Sequence, residues 1–177
     1  NCFKEKRLKV FKREAEILSK IEFPSILKFV GFSFYNIKNK PRPTYVLEYL
    51  PNCSLYDILK IERKREKVKE WNDTKKLITI YGIAAAIAYL HSKGVIHRDL
   101  KPSNILFDEY LFPKLTDFGL SRITSVQFEK NSTSNQDDIP ATPEYVAPEL
   151  FIQDYYDTSV DVYSFAIVMY EIMTGEK

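Results

Sequence analysis

Apolar side chains at Leu8, Phe11, Ala15, Leu18 and Ile21 recur every three or four positions, so the stretch LKVFKREAEILSKI predicts a helix with one wet side. Pro24 breaks that pattern. Beyond it, ILKFVGFSF and PTYVLEYL are rich in Val, Ile, Phe and Tyr and flank the polar NIKNKPR, the pattern of a β-hairpin. SLYDILK reads as a short helix capped by Ser54, and the charge run IERKREKVKE as a solvated connector. Asn72 or Asp73 then caps a long, largely buried helix, DTKKLITIYGIAAAIAYLHS, whose inward face is expected to carry Leu77, Tyr81, Ala84, Ala85, Ala88 and Leu90. After it, VIHRDLKPSNILFDEYLFPKLTDFGLSR breaks into short apolar runs between polar clusters, as strands and functional loops do. Residues 123–139 are rich in Ser, Thr, Asn and Asp and predict a mobile loop. The apolar stretch 160–173, interrupted by Asp161 and Glu171, is too short to span a bilayer and predicts a buried helix.

Strands therefore dominate the first third and helices the rest, an α+β pattern without internal repeats. With 45% hydrophobic and 28% charged residues, a chain of 177 can bury one core, so one compact unit with two lobes is expected. A net charge of +2 gives no electrostatic footprint for nucleic acid, which is set aside as a partner. Cys2 and Cys53 form no CxxC pair, which argues against a disulfide framework or zinc site and fits a reducing compartment. The chain begins at Asn1 without a signal-like segment and ends on Lys177, so a cytoplasmic excerpt of a longer protein, with no membrane segment, is expected.

The chemistry concentrates in His97-Arg98-Asp99-Leu100-Lys101-Pro102-Ser103-Asn104, followed thirteen residues after its Asn by Asp117-Phe118-Gly119. Phosphoryl transfer needs a group to orient and deprotonate the attacking hydroxyl, cations against the phosphate oxygens, and oxygen ligands for Mg²⁺. Asp99 suits the base, Lys101 the transferring phosphoryl, and Asn104 with Asp117 the metal. Gly119 gives freedom to turn directly after the metal ligand.

HRDLKPSN, DFG and Ala147-Pro148-Glu149 match in order and spacing the signature set of the protein kinase family, which this chain resembles over nearly its whole length. The resemblance implies a bilobal kinase fold, truncated at both ends: residues 1–48 a partial N-lobe, 49–53 a hinge, and 54–177 a partial C-lobe within a single kinase domain. It implies ATP and Mg²⁺ as cofactors. Glu14 looks like the helix glutamate that pairs with the nucleotide-gripping lysine. YVLEYLPNCSL resembles the interlobe hinge, with Leu47 gating the adenine pocket, the backbone of Glu48 and Leu50 facing the adenine edge, and Leu106 beneath the ring. By the same similarity Leu18, Phe29, His97 and Phe118 stack as an apolar column anchored by Asp161. Phe118 then couples packing to the metal geometry at Asp117. DVYSFAIVMYEIMTG looks like the tyrosine-kinase-like branch, with Ala166 where Gly is usual.

Lys101, two residues after Asp99, together with Thr142-Pro143-Glu144-Tyr145, resembles serine/threonine rather than tyrosine kinases. The Thr142 hydroxyl is expected to bond Asp99 and Lys101, and Ala141 replaces the Gly often found before it. Arg98 is positioned in sequence to receive a phosphate placed by an upstream kinase on Ser125, Ser132, Thr133 or Ser134. No GxGxxG occurs, and Lys4, Lys6, Lys9 and Lys12 lie too close to Glu14 to be its partner; a basic partner for Glu149 is also missing. Three readings follow: the excerpt of an active Ser/Thr kinase acting on proteins, itself expected to be inactive; a pseudokinase or scaffold; or an unrelated ATP-using or interaction domain.

Overall fold

The computed structural model describes residues 11–12, 15–16, 18–118, 121–123, 142–152 and 156–177. Helical backbone runs through the described part of 11–19, where Ala15 and Leu18, followed by Ile21, turn inward as their spacing predicts. Leu8 lies outside the described residues.

Strands β1 (Phe29–Tyr35) and β2 (Pro41–Leu47) form an antiparallel hairpin that pairs Phe32 with Tyr45. Its turn is closed by Asn36, whose Oδ1 accepts the N–H groups of Lys38 and Lys40 at 3.0 Å each. Asn39 takes φ 52°, a left-handed conformation that Asn tolerates. The first strand starts three residues later than the apolar run Ile26–Phe34 suggested. Ile26 instead bridges Leu115 in parallel, and Leu27 N–H to Leu115 O (2.9 Å) and Leu115 N–H to Ser25 O (2.8 Å) stitch this segment to a later strand.

Helix α1 (Leu55–Arg63) opens on a capping box: Ser54 Oγ accepts the Asp57 N–H, and the Asp57 carboxylate accepts the Ser54 N–H at 3.1 Å. It runs into the charge run read as a solvated connector, which is exposed at residues 64–67, 69 and 70 but not at its helical start or at Val68. Glu62 binds Lys76 Nζ (2.5 Å) and the Trp71 indole N–H (3.2 Å), Arg63 is tied to the end of the chain, and Val68 and Trp71 pack on the core.

Asn72 caps helix α2 (Asp73–Ser92) by accepting the Lys75 N–H at 3.0 Å. The inward face differs from the expected one. Thr79, Gly82, Ile83, Ala86, Ile87 and Leu90 are buried, while Leu77 and Tyr81 are 60% and 77% exposed and Ala88 faces solvent. The helix is apolar nearly all round, so spacing permits either face; Gly82, where the helix meets Pro113, fixes the choice.

Three short antiparallel pairs follow from β3 (Val95–Ile96), β4 (Ile105–Phe107), β5 (Pro113–Leu115) and β6 (Arg122–Ile123) together with the hairpin: β1–β2, β3–β6 and β4–β5. A short helix α3 (Glu149–Ile152) precedes α4 (Ser159–Thr174), which ends on Gly175 at φ 73° with its N–H on Glu171 O. The expectation of a buried helix here holds for one face only. Val160, Asp161, Ser164, Val168, Glu171 and Ile172 are buried, whereas Val162, Tyr163, Met169, Tyr170 and Met173 are exposed. One continuous core joins α1, α2, β4, β5 and α4 with Leu18, Ile21 and Ile26. Among the described residues no helix is long and apolar enough to cross a membrane.

Candidate active site

Residues 97–101 form a loop with little regular structure, and its backbone is held from a distance. Asp161, wholly buried on α4, accepts the His97 N–H at 2.9 Å on Oδ2 and the Arg98 N–H at 2.8 Å on Oδ1, while His91 Nε2 sits 2.8 Å from Oδ2. Burial alone would raise the Asp161 pKa. The His91 hydrogen bond, the nearby His97 ring and the two backbone donors outweigh it and hold the carboxyl below its ordinary value. This clamp lets Arg98 sit at φ 70°, a costly conformation for a long side chain. The His97 ring continues the bracing, with Nε2 3.1 Å from Thr116 O and Nδ1 accepting the Asp99 N–H at 3.3 Å.

Around Asp99 the donors converge. Lys101 Nζ reaches both carboxylate oxygens, at 3.0 and 2.8 Å, and lies 3.5 Å from the Thr142 hydroxyl. Asn104 Nδ2 donates to the Asp99 carbonyl and to Oδ2, each at 2.8 Å, which turns its amide oxygen away from Asp99. The Thr116 N–H donates to Asn104 O at 2.9 Å, and β4–β5 pairing sets Ile105 opposite Leu115. Asn104 and Asp117 therefore leave adjacent points of one ladder. Asp117 takes φ 65°, and Phe118 turns inward to pack edge-on against His97 with centroids 5.2 Å apart.

A cavity of about 250 Å³ opens beside Asp117, lined by Leu18, Leu27, Tyr45, Leu47, Thr116 and Phe118. Of the residues expected to face adenine it brings in Leu47 but not Glu48, Leu50 or Leu106. Leu106 is half-buried on β4. The Glu48 N–H binds Lys28 O at 3.0 Å, which leaves its carbonyl as the backbone group available there, and its side chain turns to the Lys28 N–H (2.7 Å) and Lys114 Nζ (3.4 Å). Phe29 packs against the core that contains Leu18 and Phe118. The Arg98 guanidinium lies over the Tyr156 ring, 5.2 Å from its centroid. Glu14, Gly119, Ala141 and the candidate phosphate acceptors Ser125, Ser132, Thr133 and Ser134 lie outside the described residues. Glu149, for which no basic partner was found in the sequence, accepts the Ser159 hydroxyl at 3.3 Å.

Several participants carried no distinguishing signal in the sequence. His91 is one polar residue at the end of an apolar helix, Lys114 is an ordinary strand lysine, and Lys28 lies in the segment just before β1. Glu171 does show in the sequence, as one of two charges within an otherwise apolar helical run.

The sequence model for the Protein kinase domain matches residues 2–177. Cysteine-rich receptor-like protein kinase 25 of Arabidopsis thaliana is 35% identical over 170 residues, covering 94% of this chain and 24% of its own. A probable serine/threonine-protein kinase of Dictyostelium discoideum is 36% identical over 169 residues, 96% of this chain and 17% of its own. An Aurora kinase of Debaryomyces hansenii is 38% identical over 168 residues, 95% of this chain and 37% of its own. The chain thus spans from 9 to 37% of the length of such curated relatives. A match over almost every residue, laid on a loop that gathers Asp99, Lys101, Asn104 and Thr142 beside an inward Phe118, has one reading: this chain belongs to the protein kinase domain family.

Proposed function

We propose that the protein is a serine/threonine kinase, transferring the ATP γ-phosphoryl to Ser and Thr hydroxyls of proteins. The observation that carries the reading is Lys101 Nζ lying between the Asp99 carboxylate and the Thr142 hydroxyl. Asp99 would accept the proton of the attacking hydroxyl as the hydroxyl oxygen bonds to the γ-phosphorus and the bond from that phosphorus to the β–γ bridging oxygen breaks, releasing ADP. Lys101 would neutralise the transferring group, and Thr142 would set the depth at which a short side chain reaches it. Asn104 and Asp117 offer hard oxygens from adjacent points of the ladder. Among the described residues no cluster of three or more His, Cys, Asp or Glu forms a metal cage. That donor set fits Mg²⁺, which is held by few protein oxygens together with substrate phosphates and supplies charge neutralisation when bound. Leu47 borders the nucleotide cavity, and the Glu48 carbonyl and Leu50 N–H serve the adenine edge, with Leu106 beneath it. Glu14 pairs with the nucleotide-gripping lysine.

The lobe division at 49–53, the tyrosine-kinase-like branch read from the α4 sequence, and Arg98 as acceptor of an activating phosphate belong to this reading. So does a cytoplasmic location, supported by the free Cys53. Full-length protein given Mg²⁺ and radiolabelled ATP should phosphorylate Ser or Thr in a protein substrate, and Asp99→Asn should abolish it. Equal signal from both would end the proposal.

A further inference from the structure

Glu171 is an expensive residue to place where it is. It is 2% exposed on the inner face of α4, yet both its oxygens are engaged. Arg63 Nη2 binds Oε2 at 2.5 Å, and the Tyr145 phenol donates to Oε1 at 2.5 Å. Burial first, and then the bond to Glu171, hold the Tyr145 phenol far above its ordinary pKa, so it stays a donor. Arg63 is itself fixed by Nε to Gly175 O (3.0 Å) and Nη2 to Glu176 O (3.3 Å). The remaining polar atoms of Tyr145 are also taken, its carbonyl by Ser164 Oγ at 2.7 Å and its N–H by Thr142 O at 3.3 Å.

Followed outward, these contacts make one path. It runs from Arg63 on α1 through Glu171 on α4 to Tyr145, then along the single 3₁₀ turn Pro143–Tyr145 to Thr142, whose hydroxyl meets Lys101 beside Asp99. We infer that Arg63 is a positioning residue for substrate: acting through Glu171, it fixes the depth and orientation of Tyr145 and so the placement of residues 142–147 against the catalytic loop. Stability alone is a poor explanation of the arrangement, because apolar side chains of similar volume stabilise a core at least as well as a buried ion pair. What an ion pair with a directed phenol adds is orientation, and its far end is bonded to Lys101. Glu171 acts through Tyr145 in this scheme, because burial leaves its carboxylate almost no surface of its own.

The inference rests on the proposed kinase reading, and the experiment separates the two. In full-length protein, Arg63→Met with Glu171→Gln removes the charge pair without stranding a buried carboxylate and keeps an oxygen for the Tyr145 phenol; Tyr145→Phe removes the phenol. Each is expected to raise KM for the protein substrate about fivefold with KM for Mg-ATP unchanged, and the combination to raise it no further than either alone. Arg63→Lys should restore part of the loss, because an ammonium supplies the charge without the fork. Amide exchange at Tyr145 and Val146 should quicken in both variants, an outcome that does not need catalysis. Effects that multiply in the combination, equal changes in both KM values, or unchanged exchange at Tyr145 and Val146 would each overturn the inference. Absence of phosphoryl transfer by the wild type would instead overturn the kinase reading and leave exchange to decide this one.

Discussion

Gly82 on α2 tests the packing that positions β5 and, two residues beyond that strand, Asp117. A Cβ built there lies 2.6 Å from Pro113 Cγ, 3.1 Å from Ser25 Oγ and 3.4 Å from Pro113 Cδ. Carbon pairs rest at about 3.5–4.0 Å, so the closest contact is short by about 1 Å. The proline ring can change only its pucker, while Cδ stays bound to a backbone whose strand is paired residue for residue with β4. Helix propensity opposes the clash, since Gly to Ala in a helix interior gains about 1 kcal/mol. Overpacking of a tight core costs about 1–3 kcal/mol, so Gly82→Ala should lose up to about 2 kcal/mol net, or up to about 8 °C in Tm for a chain of this size. Gly82→Val should lose more, because its branched Cβ must also fit the same gap. The check is urea denaturation followed by far-ultraviolet circular dichroism, with Ala88→Gly at an exposed site of the same helix as the propensity control, expected to lose about 1 kcal/mol. A stabilised Gly82→Ala equal in size to that control loss would refute the packing argument.

Asp161→Asn should destabilise by about 3 kcal/mol or more, because an amide nitrogen would face buried donors; chemical denaturation measures it. Since the folded pKa of Asp161 is depressed, its stabilisation is fully present above the unfolded value of about 3.9 and is lost as pH falls through the lower folded value. The acid limb of the stability profile should therefore flatten in Asp161→Asn. Tyr145 has the opposite sign: its folded pKa is raised, so its contribution is complete below about 10 and declines as pH rises above that, and Tyr145→Phe should remove part of the alkaline loss seen by denaturation above about pH 10. Ser54→Ala breaks the capping box of α1 and should cost about 1 kcal/mol in the same assay.

What could be read from the sequence follows from how local each feature is. Ser54 and Asn72 cap helices through residues three positions away, so their roles are written in adjacent letters. The grouping of Asp99, Lys101 and Asn104 is likewise nearly fixed by contiguity, and the motif order placed Asp117 and Thr142 beside them. The inward face of α2 was misread because Leu77 and Tyr81 satisfy the helical period as well as Ile83 and Ile87 do; the deciding contact, Gly82 on Pro113, joins residues far apart in sequence. The start of the charge run, where Glu62 and Arg63 end α1, departs from the solvated connector expected there for the same reason. Arg63 resembles its solvated neighbours until Glu171, 108 residues later, is known to lie beside it. Nothing in YVLEYL shows that the Glu48 N–H is held by the carbonyl of Lys28, a residue twenty positions earlier.

The Asp161 clamp also sets a schedule. His97 and Arg98 wait for a carboxylate that lies 64 and 63 residues further along the chain. At a synthesis rate of about 5–20 residues per second, that carboxylate is made roughly 3–13 s after the loop it will hold. Until α4 has been made and has docked, the emerging loop lacks the acceptor for two of its backbone N–H groups, and Arg98 has no compensation for its left-handed conformation. The loop is thus finished not by its own neighbours but by a helix laid down much later in the chain.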